Sequence, residues 1–178
     1  AEARGLLGCR PRSLAEGSLI RALPIQCAGL DVSASDAGDY VVLAVGGRRG
    51  IRGLHTFRSA NTQATVRWVI ETIQQEYGIN VRNGGRPIAV DYGGGYGNAV
   101  GDPLSDLGAF IQPVRGNQTA NDPKVYGNKR AELYGQLAAR LNPRGEFEGR
   151  PYALPHDTQL AEELAVAEKV SRGDGGQR

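Results

Sequence analysis

Two short apolar segments, each carrying a single aspartate, place the strongest constraint on how this 178-residue chain can fold. Residues 26–33 read Gln-Cys-Ala-Gly-Leu-Asp-Val-Ser and contain Asp31, and residues 87–92 carry Asp91 just before a run of glycines. Burying an ionised carboxylate in an apolar strand is costly unless a cation accompanies it. We therefore expect two neighbouring strands that bring Asp31 and Asp91 together, with a metal ion as their partner.

The hydrophobic pattern predicts a mixed α/β domain with a helix between the third and fourth strands. The predicted strands are 25–32, 40–45, 51–57, 86–91 and 110–114. An apolar stripe of period 3.6 predicts the first helix, with Asn61 at its start and Gly78 at its end. Further helices are expected at 98–107, at 126–141 and from about 158, with a brief strand at 152–154.

These elements imply a topology. The first three strands are joined by short turns and are antiparallel, whereas a helical crossover lets the first and fourth strands run parallel. The result is a central mixed five-stranded sheet flanked by helices, in the order of a ribonuclease H-like α/β domain. We assign this domain to residues 25–170, with 1–24 as a lead-in from a missing preceding domain and 171–178 as a flexible tail. The absence of methionine suggests a fragment or a processed form.

Composition excludes several classes of protein. No run of about 18 apolar residues and no signal pattern is present, which argues against a membrane-spanning or secreted protein. The two cysteines, Cys9 and Cys27, lack the spacing of a zinc site or a disulfide framework. The net charge is only +2, so a basic surface requires uneven placement of the arginines.

Three aspartates are the candidates for metal-assisted phosphodiester cleavage. Two divalent ions about 3.5–4 Å apart activate water and stabilise the leaving oxygen in such sites, and carboxylates suit Mg²⁺ or Mn²⁺. Asp31 would bridge both ions, while Asp91 and Asp157 would each hold one. Asp157 is equally suited to capping the helix that follows it. His156 is interpreted as a ligand, a proton shuttle or a surface residue, and Asp39 as an auxiliary acid.

The glycines after Asp91 allow a different reading. Gly93, Gly94, Gly95 and Gly97 resemble the first motif of S-adenosylmethionine-dependent methyltransferases, although such a loop normally follows the first strand. The following strand also ends without an acid to hold a ribose. A tight strand-to-helix turn explains the glycines equally well. A P-loop is excluded because no Gly-Lys-Ser/Thr follows.

Taken together, residues 29–167 resemble the nuclease domain of a tailed-bacteriophage terminase large subunit. The matching motifs are Gly29-Leu30-Asp31-Val32, Gly38-Asp39, Val90-Asp91-Tyr92-Gly93-Gly94, Gly127-Asn128-Lys129-Arg130-Ala131-Glu132 and Leu154-Pro155-His156-Asp157. The resemblance implies a ribonuclease H-like fold and two Mg²⁺ or Mn²⁺ ions held by Asp31, Asp91 and Asp157. It implies an endonuclease that cuts concatemeric viral DNA during genome packaging in the cytoplasm of the infected bacterial host. The implied partners are double-stranded DNA, an ATPase domain, the portal and the small terminase subunit.

Basic residues on a hairpin and near a helix start are candidates for contacts with DNA phosphates, which carry no sequence information. They are Arg48, Arg49, Arg52, Lys124, Lys129 and Arg130. Lys129 and Arg130 are adjacent on a helix, so we expect at most one of them to reach the active site. Two alternatives stay open beside the nuclease: a methyltransferase, and a non-catalytic module that docks DNA or a motor. A ribonuclease H-like resolvase would share the acids but would need a junction-binding dimer.

Overall fold

The computed structural model describes residues 21–33, 39–83, 85–93, 95–142 and 152–166, which form a five-stranded sheet with helices. The strands are β1 (Cys27–Asp31), β2 (Val41–Gly47), β3 (Gly50–Phe57), β4 (Pro87–Asp91) and β5 (Phe110–Val114). Their spatial order is β3-β2-β1-β4-β5. The strand β2 is antiparallel to both of its neighbours, whereas β1 and β4, and β4 and β5, pair in parallel. The predicted mixed sheet is confirmed.

Four helices that begin and end within the described residues accompany the sheet. They are α1 (Thr62–Tyr77), α2 (Gly97–Asp106), α3 (Lys129–Leu141) and α4 (Thr158–Val166), and a short 3-10 turn covers Val81–Asn83. Both predicted ends of α1 are confirmed. The Asn61 side chain accepts hydrogen bonds from the backbone N–H groups of Gln63 and Ala64. Gly78 ends the helix in the left-handed conformation, with φ 65°, which glycine adopts without steric cost.

The core lies between one face of the sheet and the helices α1 and α2. Alternate residues of β1, β2 and β4 point to that face, as the period of a strand requires, and they meet the apolar stripes of both helices. Leu43, Val69, Val90 and Leu104 are completely buried there. Trp68, which lies off the main stripe of α1, stacks on Phe57 with ring centroids 5.1 Å apart. This packing holds the ends of β1 and β4 in fixed positions.

Two predicted elements differ from the structure, one in where it begins and one in its extent. The helix α3 begins at Lys129 rather than 126, because Val125 and Tyr126 both donate their N–H groups to the carbonyl oxygen of Asp122 in a separate turn. Asn128 then caps α3, its side chain accepting from the N–H of Ala131. The expected strand at 152–154 is a single parallel bridge between Ala153 and Gly50.

Some predictions fall outside the described residues. These are residues 1–20 of the predicted lead-in, Gly38, Gly94, residues 167–170 of the predicted domain and the predicted tail over 171–178. Within the described ranges, none of the helices combines the length and the apolar character needed to cross a bilayer.

Candidate active site

Asp31 and Asp91 meet at the carboxyl ends of the neighbouring parallel strands β1 and β4. Leu30 is registered with Val90 across the β1–β4 pair, and each aspartate is the next residue of its strand. Neighbouring strands are only about 4.8 Å apart. Asp31 and Asp91 also share a face of the sheet, because each lies one residue beyond a core-facing position. The structure thus brings these two predicted site residues together.

The charges around Asp31 describe a small acidic site with one cation beside it. The pKa of Asp31 is raised, first by partial loss of hydration and next by the negative charge of Asp91. A backbone hydrogen bond from Val32 lowers this pKa, Asp39 raises it, and the positive charge of Arg130 lowers it. Asp39, the predicted auxiliary acid, is therefore close enough to act on Asp31. Such a concentration of negative charge favours a bound cation.

The glycines after β4 bring the start of α2 against Asp91. The backbone N–H of Gly93 donates to Oδ1 of Asp91 at 2.7 Å, and Gly95 has φ 82°. A Cβ at Gly97 would collide with the Asp91 carbonyl group, so glycine is required for this close approach. The geometry agrees with a tight strand-to-helix turn. It does not favour a nucleotide-type cofactor loop, which normally follows the first strand of a parallel sheet, whereas this turn follows β4.

The two carboxylates fit a hard divalent cation in number and chemistry. Mg²⁺ usually binds one or two carboxylates and keeps several of its waters, which matches an exposed pair at a sheet edge. Among the residues that the structure describes, no group of three or more His, Cys, Asp or Glu side chains is placed to hold a metal.

Asp157 and His156 follow a segment whose described strand contact is with β3, and no described hydrogen bond joins either residue to the pair. The segment before α4 runs beside β3, where Ala153 pairs with Gly50, and β2 separates β3 from β1. The Asp157 carboxylate accepts a hydrogen bond from the N–H of Leu160 at 2.8 Å and so caps α4. Asp157 is not among the charges that shift the pKa of Asp31, and His156 is exposed. The structure shows the capping role of Asp157, and its role as a metal ligand stays a prediction.

The structure distinguishes Lys129 from Arg130. The Lys129 ammonium group pairs with the buried Glu132 carboxylate at 2.8 Å. Arg130 instead lies near Asp31, and its backbone N–H donates to the carbonyl oxygen of Gly116 at 2.9 Å. Of the two adjacent basic residues, Arg130 is the one that faces the site.

The other predicted DNA contacts are scattered. Arg48 and Arg49 form the β2–β3 turn, next to Gly46, which pairs with the start of β1, so they lie at the opposite edge of the sheet from Asp31. The Arg52 guanidinium lies 5.6 Å from the centre of the Tyr77 ring on α1. Lys124 is exposed in the loop before α3. Arg48 and Arg49 therefore do not share a surface with the aspartate pair, and DNA contacts by Arg52 and Lys124 stay predictions.

Sequence reasoning missed two residues near the site. Arg115 follows β5 and lies 5.6 Å from the ring centre of Tyr92, the residue after Asp91. The parallel pairing of β4 with β5 was enough to place it there, because Asp91 is registered with Val114. Glu132 is 2% exposed and also accepts from the N–H of Asn121 at 3.0 Å. Its bond to Asn121 was not readable from the sequence, since Asn121 lies in an irregular loop.

Comparison with known proteins gives matches of structure only. No protein-family model matches the chain, and no curated protein matches its sequence significantly. The large terminase nuclease from thermophilic phage G20c matches with a TM-score of 0.52 and 22% identity, over 79% of this chain and 63% of that one. The nuclease domain of the large terminase subunit gp2 of bacterial virus Sf6 matches with a TM-score of 0.52 and 17% identity, over 72% and 59%. A mutant of that domain, solved with manganese and beta-thujaplicinol, gives 0.53 and 17%, over 71% and 59%.

These matches establish the fold. The chain has the ribonuclease H-like fold of phage large terminase nuclease domains, as the sequence predicted. It spans 63% of the G20c chain and 59% of the Sf6 chain, less than two thirds of either.

Proposed function

We propose that this protein is a metal-dependent DNA endonuclease of the terminase large-subunit family, which cuts concatemeric viral DNA during genome packaging. The observation that supports this most directly is the meeting of Asp31 and Asp91 at the ends of adjacent parallel strands, in a fold shared with phage terminase nucleases. Neither a methyltransferase nor a purely structural docking module explains why two carboxylates converge beside an arginine at an open edge.

The proposed cofactor is Mg²⁺ or Mn²⁺, held by the carboxylates of Asp31 and Asp91 with Asp39 nearby. One Sf6 nuclease-domain structure contains manganese and another calcium, which supports a divalent ion in this fold. When bound, such ions activate water and neutralise charge on the phosphate and leaving oxygen. Our proposal of two ions requires ligands beyond the two aspartates, and the position of Asp157 as a helix cap makes it the least supported of them.

The chain's own residues have three tasks in this reaction. Asp31 must be ionised to act as a ligand, and the Arg130 charge opposes the upward shift of its pKa. The N–H of Gly93 fixes Oδ1 of Asp91, so that the second carboxylate is oriented before substrate arrives. Exposed cations at the same edge, Arg115 and Arg130, attract the phosphodiester backbone without reading bases.

The proposed partners follow from the packaging role. They are double-stranded DNA as the substrate and, in the complete terminase, an ATPase domain, the portal and the small subunit. The corresponding location is the cytoplasm of the infected bacterial host.

Plasmid cleavage tests the proposal. Supercoiled DNA is incubated with the wild-type protein and with Asp31→Asn, each in Mn²⁺, Mg²⁺ or EDTA. We expect nicking and linearisation by the wild type with a divalent metal, and only the level of the EDTA sample with Asp31→Asn. Asp106→Asn is the matched control, because Asp106 is an exposed aspartate at the end of α2, remote from the pair.

Circular dichroism establishes that all three proteins are folded. Cleavage that persists in EDTA, or that is equal in the wild type and Asp31→Asn, would contradict the assigned site.

A further inference from the structure

A polar cavity of about 150 Å³ opens beside the aspartate pair. It is lined by Gly93, Gly116, Asn117, Asn128 and Arg130. Gly93 links it to the pair, since the Gly93 N–H is bonded to Asp91. The volume is several times the roughly 30 Å³ that one water occupies in the liquid, so a group larger than one water fits.

Arg130 is anchored at its backbone while its charge is left available. Its N–H donates to the Gly116 carbonyl oxygen at 2.9 Å. A Cβ at Gly116 would lie 3.0 Å from Nε of Arg130, so the side chain runs close along this glycine. In the described ranges the only ion pair is the one between Lys129 and Glu132, and no carboxylate comes within ion-pair distance of the Arg130 guanidinium.

The two asparagines make the cavity a donor-rich one. Oδ1 of Asn128 is occupied as an acceptor for the Ala131 N–H at 2.9 Å. The Asn128 side-chain NH₂ group therefore remains as the donor on that wall, and the Asn117 amide lines the same space. A guanidinium fork with amide donors matches the geometry of phosphate oxygens.

The ion pair between Lys129 and Glu132 holds α3 against the loop that lines the cavity. Glu132 accepts from Lys129 and from the N–H of Asn121, so it ties α3 to the loop that carries Asn117. The Lys129 N–H also donates to the Gln118 carbonyl oxygen at 2.7 Å. Lys129 and Glu132 are thus positioning residues for the cavity and do not contribute a free charge to it.

We propose that this cavity is a phosphate-binding subsite, in which Arg130 binds a backbone phosphate of the DNA strand adjacent to the phosphate that a divalent metal at Asp31 and Asp91 would hold. The proposal deepens the nuclease function and rests on it. It assigns the substrate contact to one residue at the site, in place of a diffuse basic surface. It also explains why Arg130 is kept free while Lys129 is neutralised.

The test measures DNA binding in EDTA. The fluorescence anisotropy of a labelled duplex gives the affinity at each of several salt concentrations. The variants are Arg130→Gln and Arg130→Lys, with Arg86→Gln as the matched control, because Arg86 is exposed just before β4 at the opposite edge. We expect Arg130→Gln to weaken binding about tenfold and to reduce the slope of log K against log salt by about 1. Arg130→Lys should keep the slope and lose part of the affinity, since it keeps the charge without the fork.

The outcomes separate this inference from the nuclease proposal. Unchanged affinity and slope in Arg130→Gln, in a preparation whose wild type cleaves plasmid with Mn²⁺, would overturn the subsite and leave the nuclease standing. Reduced affinity and slope in a protein whose wild type never cleaves would support the subsite and remove the nuclease. Equal losses in Arg86→Gln and Arg130→Gln would also overturn the subsite, because the effect would then be one of overall charge.

Discussion

The ammonium group of Lys129 lies 2.8 Å from Oε2 of Glu132, whose side chain is almost completely enclosed by the protein. The Lys129 hydrogen bond, and then the N–H of Asn121, lower the pKa of Glu132. A carboxyl group whose pKa is lowered on folding stabilises the protein above its ordinary pKa, and this contribution is lost as the pH falls through the lowered value.

We therefore expect Glu132→Gln to reduce the urea midpoint more at pH 7 than at pH 3. At pH 7 the substitution removes a paired charge, whereas below the ordinary pKa of 4.5 the carboxyl group of the unfolded chain binds a proton and the advantage of the ionised form in the folded state shrinks. Urea unfolding of both proteins at the two pH values measures the difference. The same decrease at pH 7 and pH 3 would show that the ion pair does not contribute.

We expect the aspartate pair to destabilise the metal-free protein. Because the pKa of Asp31 is raised, its ionised form is disfavoured in the folded state, so stability is lost as the pH rises through that raised pKa. In EDTA at pH 7 we expect Asp31→Asn to melt slightly higher than the wild type. Below the ordinary pKa of 3.8 this advantage should disappear.

Adding Mn²⁺ should reverse the order of the two proteins. A ligand that binds only the folded state stabilises it by about 2.7 kcal/mol at a concentration 100 times its dissociation constant, and Asp31→Asn lacks one of the ligands. Thermal unfolding with and without Mn²⁺ at pH 7 gives the comparison. A wild-type melting temperature that does not respond to Mn²⁺ would contradict metal binding at the pair.

The close approach of Gly97 to the Asp91 carbonyl group should be sensitive to a single methyl group. A Cβ there would overlap the backbone of residue 91, and neither backbone segment can yield without moving β4 or α2. We expect Gly97→Ala to destabilise the protein by about 1–3 kcal/mol, the range for overpacking, and to reduce cleavage because Asp91 is displaced.

Gly29→Ala is the matched control for that substitution. Gly29 lies on β1, two residues from Asp31, and nothing stands within 4 Å of a Cβ placed on it. We expect its denaturation midpoint and its cleavage rate to stay close to those of the wild type. Equal effects at the two glycines would show that the strand-to-helix turn tolerates a side chain.

Much of the fold was predictable because its signals are local. The apolar, β-branched run of β2, the stripe of α1 and the caps Asn61 and Gly78 each depend on a few neighbouring residues. The meeting of Asp31 with Asp91 followed from the right-handed crossover rule, which needs only the order of elements. The strand pairing and the fold match agree with that reasoning.

The rest of the site depends on loops whose paths are not encoded in a local pattern. The sequence alone did not say whether Lys129 or Arg130 faces the site. The contacts of the loop that ends near Asn128 determine which one does. Asp157 suited both a ligand and a helix cap, because an aspartate before an apolar helix has the same local sequence in either role. The hydrogen bond from the Leu160 N–H shows the capping role, and the two roles are compatible, so experiment decides whether the carboxylate also binds a metal.

Substitutions at Asp157 test whether its carboxylate only caps α4 or also binds a metal. Its carboxylate accepts from the N–H of Leu160 and its carbonyl oxygen from the N–H of Ala161, which is the hydrogen bonding of an N-cap. Serine caps helices about as well as aspartate, whereas alanine costs about 1 kcal/mol. We expect Asp157→Ala to lower the unfolding free energy by about 1 kcal/mol and Asp157→Ser to leave it nearly unchanged. Both variants should retain metal-dependent cleavage, because neither removes a ligand from the Asp31–Asp91 pair. If Asp157→Ser folds normally yet loses cleavage as completely as Asp31→Asn, the carboxylate of Asp157 is needed for chemistry and is a third ligand of the metal site in addition to a helix cap.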